Sequence, residues 1–194
     1  MSGDLWRSRG YLPHWEAGEV PQAITFRLAD SLPAHVLAEM QAELRLLGDD
    51  ELAVAQRVRF ERTLDRGLGE ARLADPRVAG IVERAFLHFD GVRYRLHAWV
   101  IMPNHVHIVA TPLGEWDLSR IVHSWKSYSA TMANRVLGRT GPFWSREYFD
   151  RVIRDEAHYA NAIAYAAMNP VKAELCKRPA DWRFSSAWAG RCQD

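Results

Sequence analysis

The stretch Leu96-His97-Ala98-Trp99-Val100-Ile101-Met102-Pro103-Asn104-His105-Val106-His107-Ile108-Val109 decides the reading of this chain. An apolar run from Val92 to Ile101 reads as a strand, Met102-Pro103-Asn104 as a turn, and His105 to Thr111 as the neighbouring strand. Both are apolar enough to be central. Successive strand residues point to opposite faces, so His105 and His107 project together, one aliphatic residue apart, and form half of a candidate metal site.

Outward from this hairpin, Gln22 to Leu28 alternates and is β-branched enough for a first strand. Ser31 and Gly48 frame a helix carrying Leu37, Met40, Leu44 and Leu47, and a second, charged helical stretch runs from Asp49 to Arg66. A third helix covers Pro76 to Phe89. Asp117 to Leu137 fits a long amphipathic helix with Leu118, Ile121, Val122 and Trp125 on its apolar side. Phe143 to Ile153 reads as a further strand, and Asp155 opens a helix expected to stop before Pro170. This order implies an α+β fold, a ferredoxin-like (split β-α-β) antiparallel sheet with helices on one face, elaborated by extra helices.

With 194 residues, 48% hydrophobic and 25% charged, the chain suits one domain over 1–194, with an N-terminal leader over 1–20 and a packing tail over 175–194. No apolar run is long enough to span a membrane, and the first ten residues lack a hydrophobic core, so a soluble, cytoplasmic protein is expected. Cys176 and Cys192 are too few for a cysteine-based zinc site or a disulfide framework. The net charge of +1 conceals an asymmetry. Residues 1–90 hold 11 Lys/Arg and 15 Asp/Glu, whereas residues 91–154 hold 9 against 4. The basic stretch surrounds the histidine pair and suits a polyanionic partner.

A third ligand and a nucleophile are offered by the last helix. Four residues turn a helix by about 400°, or about 40° net, so Tyr165 and Asn169 share a face. Tyr159 is about 240° away from Tyr165 and points elsewhere. A phenol one turn from an amide oxygen, beside two imidazoles, suits a divalent ion such as Mg or Mn and attack on phosphorus. The bland alternative is a packed ring and a helix-end residue before Pro170.

The histidine segment quoted above resembles the HUH motif of single-tyrosine transposases. Tyr148-Phe149-Asp150-Arg151-Val152-Ile153-Arg154-Asp155-Glu156 and Tyr165-Ala166-Ala167-Met168-Asn169-Pro170-Val171-Lys172-Ala173 resemble the rest of that domain, in the family's order. The nearest branch is that of the REP-associated tyrosine transposases, and the resemblance covers residues 11–188. It implies that His105, His107 and Asn169 hold Mg or Mn and that Tyr165 attacks single-stranded DNA at palindromic, REP-like hairpins through a 5′-phosphotyrosine. It also implies a homodimer. Glu174 departs from the pattern, because relatives commonly carry Gly after Lys-Ala, and the stretch from Asp49 to Arg72 is longer than expected.

Arg120, Lys126, Arg135 and Arg139 are candidate phosphate contacts, and Trp125, Tyr128 and Trp144 candidate stacking platforms. In the leader, Tyr11 and His14 are candidate DNA contacts. Two other functions fit the same motifs: a domesticated protein that binds DNA hairpins without cutting, and a replication-initiator or relaxase-like nickase. The short chain and single candidate tyrosine weigh against the second, and the intact His105, His107, Tyr165 and Asn169 against the first.

Overall fold

The computed structural model describes residues 6–8, 13–15, 18–32, 63–64 and 69–191, the first two segments by their backbone alone. The helices expected over 31–48 and 49–66 fall almost wholly outside the described residues.

Six strands and three α-helices are described: β1 (Trp6–Ser8), β2 (Pro13–Trp15), β3 (Gln22–Arg27), α1 (Pro76–Leu87), β4 (Tyr94–Ile101), β5 (His105–Pro112), α2 (Leu118–Val136), β6 (Phe149–Val152) and α3 (Glu156–Lys172). Strands β1 and β2, within the leader, pair with each other antiparallel. The main sheet has the order β4-β5-β3-β6 with every pair antiparallel, which is the split β-α-β arrangement read from the sequence.

Local chemistry accounts for the helices. Asp75 caps α1 by accepting the Arg77 N–H, and Pro76 occupies the first helical position, where no donor is wasted. Val78, Val82, Ala85 and Phe86 recur at helical spacing and are buried on the sheet together with Leu118, Ile121, Val122 and Trp125 of α2. Phe26, Phe86, Trp99, Tyr94 and Trp125 meet edge to face in this core. Its polar tips are satisfied: the Trp125 Nε1–H donates to Tyr94 Oη at 2.9 Å, and the Tyr94 hydroxyl donates to the Phe86 carbonyl at 2.6 Å.

The structure corrects four expectations. Helices α1 and α2 share one face, but α3 lies on the other, where Tyr159, Ala162, Ile163 and Ala166 pack on Ala98, Val100 and Val109. The reason is parity. Val106, Ile108 and Ala110 of β5 face α1 and α2, so His105, His107 and Val109 face α3.

Strand β4, expected to be central, is an edge of the sheet. It is buried because the tail covers it: Ile101 N–H donates to the Phe184 carbonyl and the Trp182 indole donates to the Ile101 carbonyl. Arg183 and Arg191 then tie the tail to Glu83 of α1.

The strand expected over Phe143 to Ile153 is shorter, beginning only at Phe149. Phe143 and Trp144 sink into the core instead, held where Ala29 N–H donates to Phe143 O and Ser145 N–H to Arg27 O.

Finally, α3 runs through Pro170 to Lys172. Proline in the last turn forfeits a single helical bond, and the end is closed by Glu174 N–H to Val171 O and Leu175 N–H to Pro170 O, a Schellman pattern. That pattern needs a left-handed residue, and Glu174 supplies it with φ 57°. The position where the resemblance implies glycine is therefore the one whose backbone favours glycine.

Candidate metal and nucleophile site

The β4–β5 turn delivers the histidine pair at the start of β5, in the middle of the sheet. Both rings are buried, His105 at 1% exposure and His107 at 5%. Their Nε2 atoms converge to 2.9 Å, while each Nδ1 is held from behind. Asn104 Oδ1 lies 2.7 Å from His105 Nδ1, and Thr25 Oγ1 lies 2.8 Å from His107 Nδ1 across the β3–β5 ladder.

The Asn104 amide is oriented by its own donor, Nδ2, which bonds the Leu64 carbonyl at 3.1 Å. An acceptor facing His105 Nδ1 fixes a proton there and leaves the Nε2 lone pair bare. Burial pushes the His105 imidazole down to about 3, so it is neutral at physiological pH. A neutral ring with its far nitrogen anchored is the form that binds a metal.

Helix α3 carries Tyr165 to this pair. Its ring meets that of His107 edge to face, with centroids 5.2 Å apart. Asn169 follows one turn later, 1% exposed, and among the described residues neither its Oδ1 nor its Nδ2 has a hydrogen-bond partner. A buried amide left without partners is costly, and a cation is the kind of ligand that would satisfy its oxygen. Gln22 shares this property but lies on the parity of Ile24 and Phe26, the opposite sheet face. Among the described residues no three His, Cys, Asp or Glu side chains gather at one point, so an amide is the third donor this arrangement offers. Two imidazoles and an amide oxygen are a nitrogen and oxygen donor set of the kind divalent ions accept.

Tyr159 sits elsewhere, edge to face with His97 at 5.4 Å, and His97 in turn bonds Thr111. His158 belongs to the α3 cap, where its N–H donates to Asp155 Oδ1. Two groups missed in the sequence stand at the site. Lys172 Nζ lies 4.8 Å from the Tyr165 ring centroid, two turns along the same helix. Arg27, the register partner of His105, is buried, and desolvation lowers its guanidinium to about 10. The seven-residue spacing 165–172 carries the first signal; the second needs the sheet register, which sequence spacing does not give.

The phosphate and stacking candidates divide. Arg120 and Arg135 are exposed on α2. Lys126 is half-buried, donates to the Arg146 carbonyl at 2.8 Å and is pushed down to about 8 by burial. Arg139 bonds the Pro142 carbonyl at the end of α2. Trp125 and Trp144 are core residues, and the Trp144 indole donates to Ser129, so neither can stack on DNA. Tyr128 is 46% exposed. Tyr11 lies outside the described residues, and His14 is described only as a backbone position in β2. Among the described residues no helix is long and apolar enough to cross a membrane.

Comparison with known proteins places this geometry. The IS200-like transposase family model matches residues 79–166, from α1 through Tyr165. A REP-associated tyrosine transposase of Escherichia coli K12 is 28% identical over 94 residues, 48% of this chain and 54% of that protein. The match thus spans about half the length of this curated relative. A solved REP-associated tyrosine transposase bound to a REP hairpin shares the fold, with TM-score 0.54 and 19% identity over 95% of this chain and 94% of that one. These likenesses agree with the resemblance carried by the three motifs: the chain is similar to the IS200-like transposases over residues 79–166 and to REP-associated tyrosine transposases in sequence and fold.

Proposed function

We propose that this chain is a DNA-processing transposase that cleaves and rejoins single-stranded DNA at palindromic, REP-like hairpins. The observation that carries the reading is the meeting of the paired His105 and His107 with the Tyr165 ring on one sheet face, with the buried Asn169 amide, partnerless among the described residues, one helical turn beyond Tyr165.

His105, His107 and Asn169 would hold Mg or Mn, which when bound supplies positive charge that makes a scissile phosphate more electrophilic. Asn104 and Thr25 orient the two imidazoles from behind, so the ligand nitrogens need little reorganisation. Tyr165 Oη attacks phosphorus as it loses its proton; the P–O3′ bond breaks, the 3′-oxygen leaves as a hydroxyl, and a 5′-phosphotyrosine forms. A 3′-hydroxyl reverses the step, so the phosphodiester energy is conserved for joining. Lys172, beside the Tyr165 ring, adds a positive charge where phosphate negative charge must approach.

The homodimer belongs to the same proposal, with the exposed Met168 of α3 and Leu175 just beyond it as apolar contact residues. Sedimentation at micromolar concentration reads that state.

Incubating the protein with a single-stranded palindromic oligonucleotide and Mg or Mn is expected to give a covalent, denaturant-resistant adduct that Tyr165→Phe abolishes. An adduct of undiminished yield in Tyr165→Phe would overturn the assignment. Hairpin binding with no adduct under any divalent ion would leave a binding protein without cleavage.

A further inference from the structure

At the open end of the β4–β5 hairpin, Phe89, Arg93, Trp116 and Arg120 stack in alternation. Arg93 Cζ lies 3.3 Å from the Phe89 ring centroid and 4.2 Å from that of Trp116, and Arg120 Cζ lies 4.8 Å from the same indole. Backbone bonds lock the two loops together: Arg93 N–H donates to Phe89 O, Leu113 N–H to Arg93 O, and Trp116 N–H to Leu113 O. Arg120 is exposed, and the other three are half-buried.

Among the described residues, these two arginines combine stacking on an aromatic ring with the lack of a carboxylate partner. Arg72, Arg77, Arg178, Arg183 and Arg191 each pair with a carboxylate. Among the described residues, neither the Arg93 nor the Arg120 guanidinium has a hydrogen bond or an ion pair, although Glu115 and Asp117 are close in sequence. A guanidinium whose face is covered by an aromatic ring keeps its N–H donors around the edge, in the plane that matches phosphate oxygens. Stacking also fixes the side chain in advance, so less entropy is lost when an anion binds.

We infer that the Phe89–Arg93–Trp116–Arg120 stack is a second nucleic-acid contact, gripping the sugar-phosphate backbone of a DNA stem at a distance from the histidine pair. Sharing one indole keeps the two Cζ atoms within about 9 Å, close enough to reach neighbouring phosphates of one strand. His107 and Pro112 are five residues apart on β5, about 17 Å at strand rise. A stem of roughly five base pairs, at about 3.4 Å each, bridges that length. The inference rests on the proposed DNA substrate and assigns to it the surface that holds the stem.

The test uses full-length protein carrying Tyr165→Phe, which binds without cutting, and reads fluorescence anisotropy with two probes: a palindromic hairpin and a mixed-sequence duplex of equal length. Salt is varied from about 50 to about 200 mM. Each phosphate contact contributes about 0.9 to the slope of log K against log salt. Arg93→Gln and Arg120→Gln are each expected to lower the slope by about 0.9 on both probes, and the pair by about 1.8, with circular dichroism unchanged. Arg77→Gln, whose guanidinium is paired with Asp75, serves as control and is expected to leave the slope alone. Should Arg93→Gln perturb folding, Arg120→Gln alone decides. A slope equal to that of the control overturns the inference, as does a wild type that binds neither probe. Equal affinity for hairpin and duplex with a stack-dependent slope upholds the stack and instead sinks the hairpin preference.

Discussion

Replacing Asn169 by leucine separates the cost of the candidate site from its purpose. Asn169 is 1% exposed and both its amide atoms lack partners among the described residues, so in the absence of a ligand the fold carries an unsatisfied polar group, worth about 1–3 kcal/mol. Leucine has a similar shape and no such need. In chelator, Asn169→Leu is expected to be more stable than wild type by about 1–3 kcal/mol, a rise in Tm of roughly 2–12 °C at this chain length. Adding Mn reverses the order of gain. A ligand at a hundred times its Kd stabilises by about 2.7 kcal/mol, and the wild type is expected to show such a rise where the variant shows little. Thermal melts of both proteins, with chelator and across a Mn titration, give all four numbers. A variant less stable than wild type by more than about 1 kcal/mol in chelator would refute the reading of an unsatisfied amide. Equal Mn-induced shifts would refute its role as a ligand.

Three further outcomes are expected from the same structure. Asn104→Ala removes the acceptor behind His105 and is expected to weaken Mn affinity about 10–100-fold by calorimetry; a change under about twofold would contradict that support. Lys126→Met is expected to stabilise the protein by about 1 kcal/mol at pH 7, after discounting for solvent access. The folded ammonium titrates near 8, below its ordinary 10.5, so wild-type stability rises with pH between those values and the advantage of methionine should shrink across that window. A pH-independent difference in urea melts would refute the burial cost. Glu174→Gly relieves the left-handed backbone at the end of α3 and is expected to add about 0.5–1 kcal/mol; destabilisation in the same melts would contradict the strain.

How much of this was legible in the sequence varies by element for physical reasons. The histidine strand, α1 and α2 were readable within a few residues because their apolar periods are strong and are bounded by Pro, Asp and Gly. Helical phase grouped Tyr165 with Asn169 and set Tyr159 apart, the resemblance joined that face to the histidines, and Tyr159 indeed packs on His97. The face occupied by α3 was not legible, since strand parity fixes which residues share a face but not which helix covers it. Phe143 and Trp144 mimicked a strand because core aromatics and β-strand aromatics look alike in one dimension. Pro170 suggested a helix end three residues too early, because the Schellman closure beyond it depends on Glu174 adopting φ 57°. The Asn104 and Thr25 supports and the arginine stack join residues from different elements, and no local spacing announces such contacts.

The most direct measurement is the location of the covalent bond. Full-length protein is reacted with a single-stranded palindromic oligonucleotide in Mn, digested, and the nucleotide-bearing peptide is sequenced by mass spectrometry, alongside Tyr159→Phe and a chelator control. The expected result is a 5′-phosphate on Tyr165 alone, undiminished in Tyr159→Phe and absent in chelator. A nucleotide on Tyr159, or an adduct on Tyr165 that forms equally well in chelator, would contradict a single site built from His105, His107, Asn169 and Tyr165.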